Sequence, residues 1–145
     1  MTMLKSPERG EAYRACVYRV FLPEGLLELQ VDRVCEALAE WLAARQLTSF
    51  ALITAHNPAG AQLAAEKNAE QQAALECDLL EGNYEPYSAE HVAVAGDWPV
   101  EESCFVPDIT REDALALAED YGQDAIVWGQ ADGIPRLAWV AELGQ

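Results

Sequence analysis

Basic residues and histidines are scarce in this chain of 145 residues. It has 9 lysines and arginines against 25 aspartates and glutamates, for a formal net charge of −16, and 2 histidines. Because proteins hold phosphate backbones mainly with lysine and arginine, we expect no binding to nucleic acid. The excess of carboxylates usually serves solubility, and its other use is an acidic face that docks a basic partner.

Long apolar runs are also missing. No segment approaches the ~20 apolar residues that a membrane helix needs. The first residues, MTMLKSPERGEAY, lack the apolar core of a secretory signal. We therefore expect a cytoplasmic protein that does not enter the membrane. The length and the 51% hydrophobic composition suit a globular chain with a core of its own.

Paired cysteines and familiar catalytic motifs do not occur. The four cysteines are far apart and form no C-x-x-C pair, so we expect reduced thiols and no metal site. No G-x-G-x-x-G, P-loop or G-x-S-x-G sequence is found. The residues thus identify no cofactor, and they leave open whether the protein is an enzyme.

The pattern of apolar residues predicts seven strands and three helices in the order ββαβαββαββ. One predicted hairpin turns at Pro23-Glu24-Gly25 and another at Asp132-Gly133. The segment SFALITA, residues 49–55, is apolar on both faces and so predicts an interior strand, whereas Pro135 predicts an edge strand at the end.

These elements predict an α/β (α+β) fold, in which a single-layer mixed, largely antiparallel sheet is packed with three helices. Residues 1–11 are expected to form a polar N-terminal tail, and residues 12–145 a single globular domain. The regular βαβ alternation of a doubly wound sheet is not present.

The stretch ITAHNPAG, residues 53–60, ends the interior strand with an Asn-Pro step. Asn57 suits a helix N-cap and Pro58 the first helical turn, so a helix is expected from Pro58 to about Glu81. This geometry is an ordinary helix start. It is also the geometry of an anion site, in which free N–H groups face the carboxyl end of a strand.

Further polar residues lie at positions that the fold would bring near this turn. Asn68 shares with Gln72 the helical stripe that faces the core, where a buried amide needs a partner. Glu101 and Glu102 begin a strand and point to opposite faces, so at most one of them enters a cleft as a general base. Gln123 lies between a helix-ending glycine and a strand.

Together these motifs resemble the bacterial family catalogued as domain of unknown function 3293. The matching residues are Thr54, Asn57, Pro58, Asn68, Glu101, Glu102, Ser103 and Gln123. The chain departs from the family pattern at Ala59-Gly60-Ala61, where relatives often carry a serine, and at Glu70-Gln71, where an arginine is often found. The resemblance implies a bacterial source and a shared polar site, and it implies no activity.

We therefore expect a domain that binds a polar or anionic, nucleotide-like small molecule where the interior strand ends and a helix begins. The expected ligand-binding residues are Thr54, Asn57, Asn68, Glu102, Ser103 and Gln123. If the site is catalytic, Glu102 is the first candidate for the base and His56 the second. The alternatives are a non-catalytic acidic domain that docks a basic protein partner, and a purely structural role for these side chains.

Overall fold

A computed structural model describes residues 7–56, 63–93 and 100–143 of the chain. The elements in chain order are α1 (Pro7–Arg14), β1 (Cys16–Leu22), β2 (Gly25–Leu29), α2 (Glu36–Ala44), β3 (Ser49–Ile53), α3 (Ala65–Glu81), β4 (Tyr87–Ala93), β5 (Glu101–Pro107), α4 (Arg111–Asp120), β6 (Ala125–Gln130), β7 (Arg136–Trp139) and a 3₁₀ helix (Val140–Glu142). The seven strands form one sheet, so the predicted α+β class is confirmed. None of the described helices is long and apolar enough to cross a membrane.

The strand order in the sheet is β2-β1-β4-β5-β3-β6-β7, and each pair of neighbours is antiparallel. Both predicted hairpins are present, as β1–β2 and β6–β7. Strand β3 lies between β5 and β6, which its two apolar faces predict, and β7 follows Pro135 at an edge. The described sheet is antiparallel throughout, whereas the sequence predicted some parallel pairing.

The described α-helices number four instead of three, because α1 forms in the segment for which a polar tail and the start of the first strand were expected. Helix α1 is held by contacts far along the chain. The Tyr13 hydroxyl donates a 2.7 Å hydrogen bond to Asp124 Oδ1, and its ring packs edge-on against Trp139. The local sequence pattern does not carry this information.

Helix α3 begins at Ala65, later than the Pro58 that the sequence suggested, since Leu63 and Ala64 are not helical. Asn57 and Pro58 lie outside the described residues. Over the rest of its length α3 follows the predicted stripe, and it buries Asn68, Gln72, Leu75 and Leu79. Among the described residues, the helix predicted to start at Pro58 therefore starts seven residues later.

Helices cover the sheet on both faces. On the α2 face, Leu38 and Leu42 belong to a buried cluster with Phe50 and Phe105, whose rings stack at 5.8 Å. On the other face, called the α3–α4 face, side chains from both helices pack against β3, β5 and β6. Apolar side chains therefore cover the centre of the sheet on both faces.

Candidate functional site

The chain leaves β3 through a set of hydrogen bonds at one end of the sheet. Thr54 Oγ1 donates to the carbonyl of Glu102 at 2.6 Å and accepts the backbone N–H of His56 at 3.0 Å. Gln123 follows α4 and donates from Nε2 to the carbonyl of His56 at 3.0 Å. Two side chains from separate elements thus fix the backbone of His56.

Two amides of α3 lie on the α3–α4 face of this strand end. Gln72 Oε1 accepts the backbone N–H of Ala55 at 3.1 Å, and Gln72 Nε2 lies 3.4 Å from Cys104 Sγ. Asn68 is 6% exposed, and its Nδ2 donates to the Leu63 carbonyl at 3.4 Å. Of the two roles that the sequence left open for these amides, Gln72 has the structural one.

On the α2 face, the register of β4 and β5 places His91 directly opposite Glu101. His91 Nε2 lies 2.7 Å from Glu101 Oε1, and the two side chains are 9% and 6% exposed. Tyr18 packs edge-on against the His91 ring at 5.5 Å. Ser103 follows two residues after Glu101 on the same face of β5.

Because side chains alternate along β5, the neighbouring acid, Glu102, lies on the other face of the sheet. Glu102 has an exposed side chain on the α3–α4 face, and only its backbone carbonyl takes part in the hydrogen bond from Thr54. Glu101 is thus the buried acid, and Glu102, the first candidate for the base, is the solvated one.

A small cavity of about 20 Å³ lies between α1 and these polar side chains of the α2 face. Its lining includes Tyr13, Tyr18, Thr54, His91 and Ser103. A space of this size holds one water molecule or the polar end of a larger ligand. Burial raises the pKa of the Tyr18 hydroxyl well above its ordinary value, so this group stays protonated.

Two buried polar atoms near this strand end have no hydrogen-bond partner within the described ranges. They are Ser103 Oγ, on a residue that is 5% exposed, and His56 Nε2. Leaving such a group unpaired costs about 1–3 kcal/mol, so each position favours the binding of a partner. We call Thr54, His56, His91, Ser103 and Gln123 the sheet-end site.

The electrostatics of the sheet-end site are acidic. Burial lowers the pKa of His56, and the carboxylates of Glu101 and Glu102 partly oppose that effect. No lysine or arginine lines the small cavity in the described part of the chain. Among the same residues, no group of three histidines, cysteines or acids is arranged to hold a metal ion, and the four cysteines are free thiols.

The structure groups some of the residues expected from the sequence and separates others. Thr54, His56 and Gln123 form one hydrogen-bonded unit, and Thr54 and Ser103 line the same cavity. Asn68 lies on the opposite face of the sheet, and Asn57 lies outside the described residues. Sequence reasoning overlooked the pair His91–Glu101, because its partners meet across strands and not at helical spacing.

Comparison with known proteins identifies a family but no activity. No curated protein and no solved structure matches the chain. A family model described as "Protein of unknown function (DUF3293)" matches residues 53–126, which is just over half of the 145 residues. The matched range contains every residue expected to bind a ligand, whereas Tyr13 and Tyr18 precede it. The chain therefore belongs to the DUF3293 family of proteins of unknown function.

Proposed function

We propose that this protein binds a small polar molecule at the sheet-end site. The observation that carries the proposal is the Ser103 hydroxyl, which is buried, lines a cavity and has no partner among the described residues. Buried hydroxyls in folded proteins are nearly always hydrogen-bonded, so an unpaired one beside a cavity supports a ligand.

The size and charge of the site limit the ligand. The cavity of about 20 Å³ admits one hydroxyl or ammonium group, so the remainder of the molecule would lie over the strand end. Glu101 is buried beside the cavity, and no basic side chain lines it in the described part. A neutral or cationic ligand, such as an alcohol or an amine, therefore fits better than the anionic ligand considered from the sequence.

The anionic ligand depended on a helix start immediately after Asn57. The described start of α3 at Ala65 has no side-chain cap and an acidic first turn, with Glu66. Such a first turn opposes a bound anion. If the ligand is also transformed, His56 suits the role of base better than Glu102, since His56 Nε2 is buried and unpaired.

A thermal-shift screen of amines, polyols and nucleosides tests the proposal, followed by calorimetry with each compound that stabilises the protein. The decisive variant is Ser103→Ala, and its control is Ser88→Ala, which removes an exposed hydroxyl from β4. We expect at least one compound to raise the melting temperature of the wild type and of Ser88→Ala while leaving that of Ser103→Ala unchanged. The proposal is overturned if no compound stabilises the protein, or if every compound that does so stabilises all three proteins equally.

A second function, the docking of a basic partner, is favoured by the distribution of charge. Helix α3 carries five acids and one lysine, and α4 carries four acids and one arginine. Both helices pack on the same face of the sheet, so their carboxylates concentrate negative charge there. Such a surface would bind a cationic partner with an affinity that falls steeply with salt.

A lysine-rich peptide titrated at rising NaCl concentrations tests the docking function. Glu76→Gln/Glu81→Gln lowers the charge of α3, and Glu36→Gln/Glu40→Gln makes the matched change on α2, where the acids are also exposed. We expect only the α3 variant to weaken binding. Equal losses in both variants would indicate attraction by net charge alone and would exclude a docking face.

A further inference from the structure

A larger cavity, of about 550 Å³, lies at the opposite end of the sheet from the sheet-end site. It forms where the segments after α2, after α3 and after β5 meet. Its volume falls within the roughly 300–1,000 Å³ that is typical of sites for small molecules. The two sites share no lining residue, so this cavity is independent of the function proposed above.

Aromatic rings form much of the cavity wall. Trp41, Tyr84 and Tyr87 line it, and the rings of Trp41 and Tyr87 meet edge-to-face at 5.8 Å. The Trp41 indole N–H donates to Glu24 at 3.0 Å, and the Tyr84 hydroxyl donates to Asp113 at 3.0 Å. These bonds hold the rings in place without a ligand.

The backbone around the cavity is also preformed. Asn83 and Asp108 both line it with positive φ angles, 67° and 62°, which asparagine and aspartate adopt more readily than most residues. The N–H of Asp108 donates to Ser49 at 2.8 Å, and the N–H of Tyr84 donates to Leu79 at 3.0 Å. The segments that shape the cavity are thus tied to the sheet and to α3.

The charged groups of the lining leave an excess of negative charge. Arg45 lies over the Trp41 ring, 4.2 Å from its centroid, and Arg45 Nη2 is 2.6 Å from Glu24 Oε2. Its charge is therefore balanced within the protein. Glu85 and Asp108 are exposed carboxylates that line the cavity, and neither has an ion-pair partner among the described residues.

We propose that this aromatic cavity binds an organic cation, in which an ammonium or alkylated ammonium group is carried by a small apolar body. The faces of tyrosine rings attract positive charge. The carboxylates of Glu85 and Asp108 add negative charge, which Arg45 does not balance because it pairs with Glu24. The protein already contains one arrangement of this kind: the Arg45 guanidinium lies over the Trp41 ring and pairs with the carboxylate of Glu24.

The test uses choline as the probe and its neutral isostere, 3,3-dimethylbutanol, as the control ligand, with the whole chain of 145 residues at constant ionic strength. Binding is followed by NMR, through the Trp41 indole N–H signal and the ring signals of Tyr84 and Tyr87. We expect choline to shift these signals, and the neutral isostere to bind at least about tenfold more weakly.

Two double variants identify the charges involved. Glu85→Gln/Asp108→Asn removes both cavity carboxylates, and asparagine suits the left-handed backbone at position 108. Glu119→Gln/Asp120→Asn removes two exposed carboxylates of α4 as the control. We expect the first variant to lose about tenfold in choline affinity and the second to keep it.

Three results would overturn the proposal: equal binding of the neutral isostere, equal losses in both double variants, or no shift of the cavity signals with choline. Ser103→Ala separates this inference from the proposed function. We expect it to abolish ligand binding at the sheet-end site and to leave the choline affinity of the aromatic cavity unchanged.

Discussion

His91 and Glu101 face each other across β4 and β5, with Nε2 2.7 Å from Oε1 and with side chains that are 9% and 6% exposed. Tyr18 closes one side of the pair, and Ser103 follows on the same face of β5. A carboxylate this deeply buried depends on hydrogen-bonding partners such as His91, because water does not solvate it. The pair therefore contributes both to the stability of the fold and to the polarity of the sheet-end site.

Replacing His91 by alanine should destabilise the protein by about 3 kcal/mol, because the buried Glu101 loses the imidazole that faces it and a cavity is left in its place. The double variant His91→Leu/Glu101→Leu removes both polar groups and should cost clearly less than His91→Ala. Urea unfolding of the three proteins measures the difference. A loss below about 1 kcal/mol in His91→Ala would show that the pair contributes little.

Ser103 and Thr54 line the same cavity, yet their substitutions should have opposite effects on the free protein. Ser103→Ala removes an unpaired hydroxyl and should leave the free energy of unfolding unchanged or raise it. Thr54→Val deletes two hydrogen bonds, to Glu102 and from His56, and should cost about 1–2 kcal/mol. Chemical denaturation without ligand compares them, and a destabilised Ser103→Ala would mean that its hydroxyl has a partner after all.

His56 should make the protein less stable as the pH falls. Its pKa in the folded state lies below the ordinary 6.5, mainly because burial disfavours the charged ring. Below that ordinary value the unfolded chain binds a proton that the folded protein does not, so unfolding becomes easier until the folded pKa is reached. The stability contributed by neutral His56 is thus present above about pH 6.5 and lost in the window beneath it.

Denaturation at pH 7.5, 6.5 and 5.5 measures this effect. We expect the wild type to lose stability across the series and His56→Gln to lose less. An NMR titration of the His56 ring gives the folded pKa directly. A value at or above 6.5 would contradict the expected direction.

The sequence was informative where structure depends on neighbours along the chain. Alternation and short apolar runs identified all seven strands, and the turn residues at Pro23-Glu24-Gly25 and Asp132-Gly133 identified both hairpins. Helix α1 was missed because it is stabilised by Tyr13 and Asp124, which lie 111 residues apart. No local pattern reports such a contact.

The sequence also selected some of the residues that the structure brings together at the sheet-end site. The family resemblance selected Thr54, and a position between a helix and a strand drew attention to Gln123; both side chains bond the backbone of His56. Alternation showed that Glu101 and Glu102 face opposite ways. It did not show which one is buried, because β5 is apolar on both faces and only the register with β4 decides.

The thiols differ enough in environment for their reactivities to be separated. Cys77 is exposed on α3, whereas burial raises the pKa of the Cys104 thiol to about 12 and also raises the pKa of Cys16, which donates to the Ala12 carbonyl. Since the thiolate is the reactive form, native protein at pH 8 should show a single fast reaction with Ellman's reagent, at Cys77.

Cys77→Ser should abolish this fast phase, while Cys35→Ser, at a partly buried position, should keep it. After unfolding in urea, all the remaining thiols should react at similar rates. A fast phase that survives in Cys77→Ser would place another cysteine at the surface. If Cys104→Ser then removes that phase, the result would contradict the packing of Cys104 under Gln72, and with it the closed α3–α4 face behind the sheet-end site.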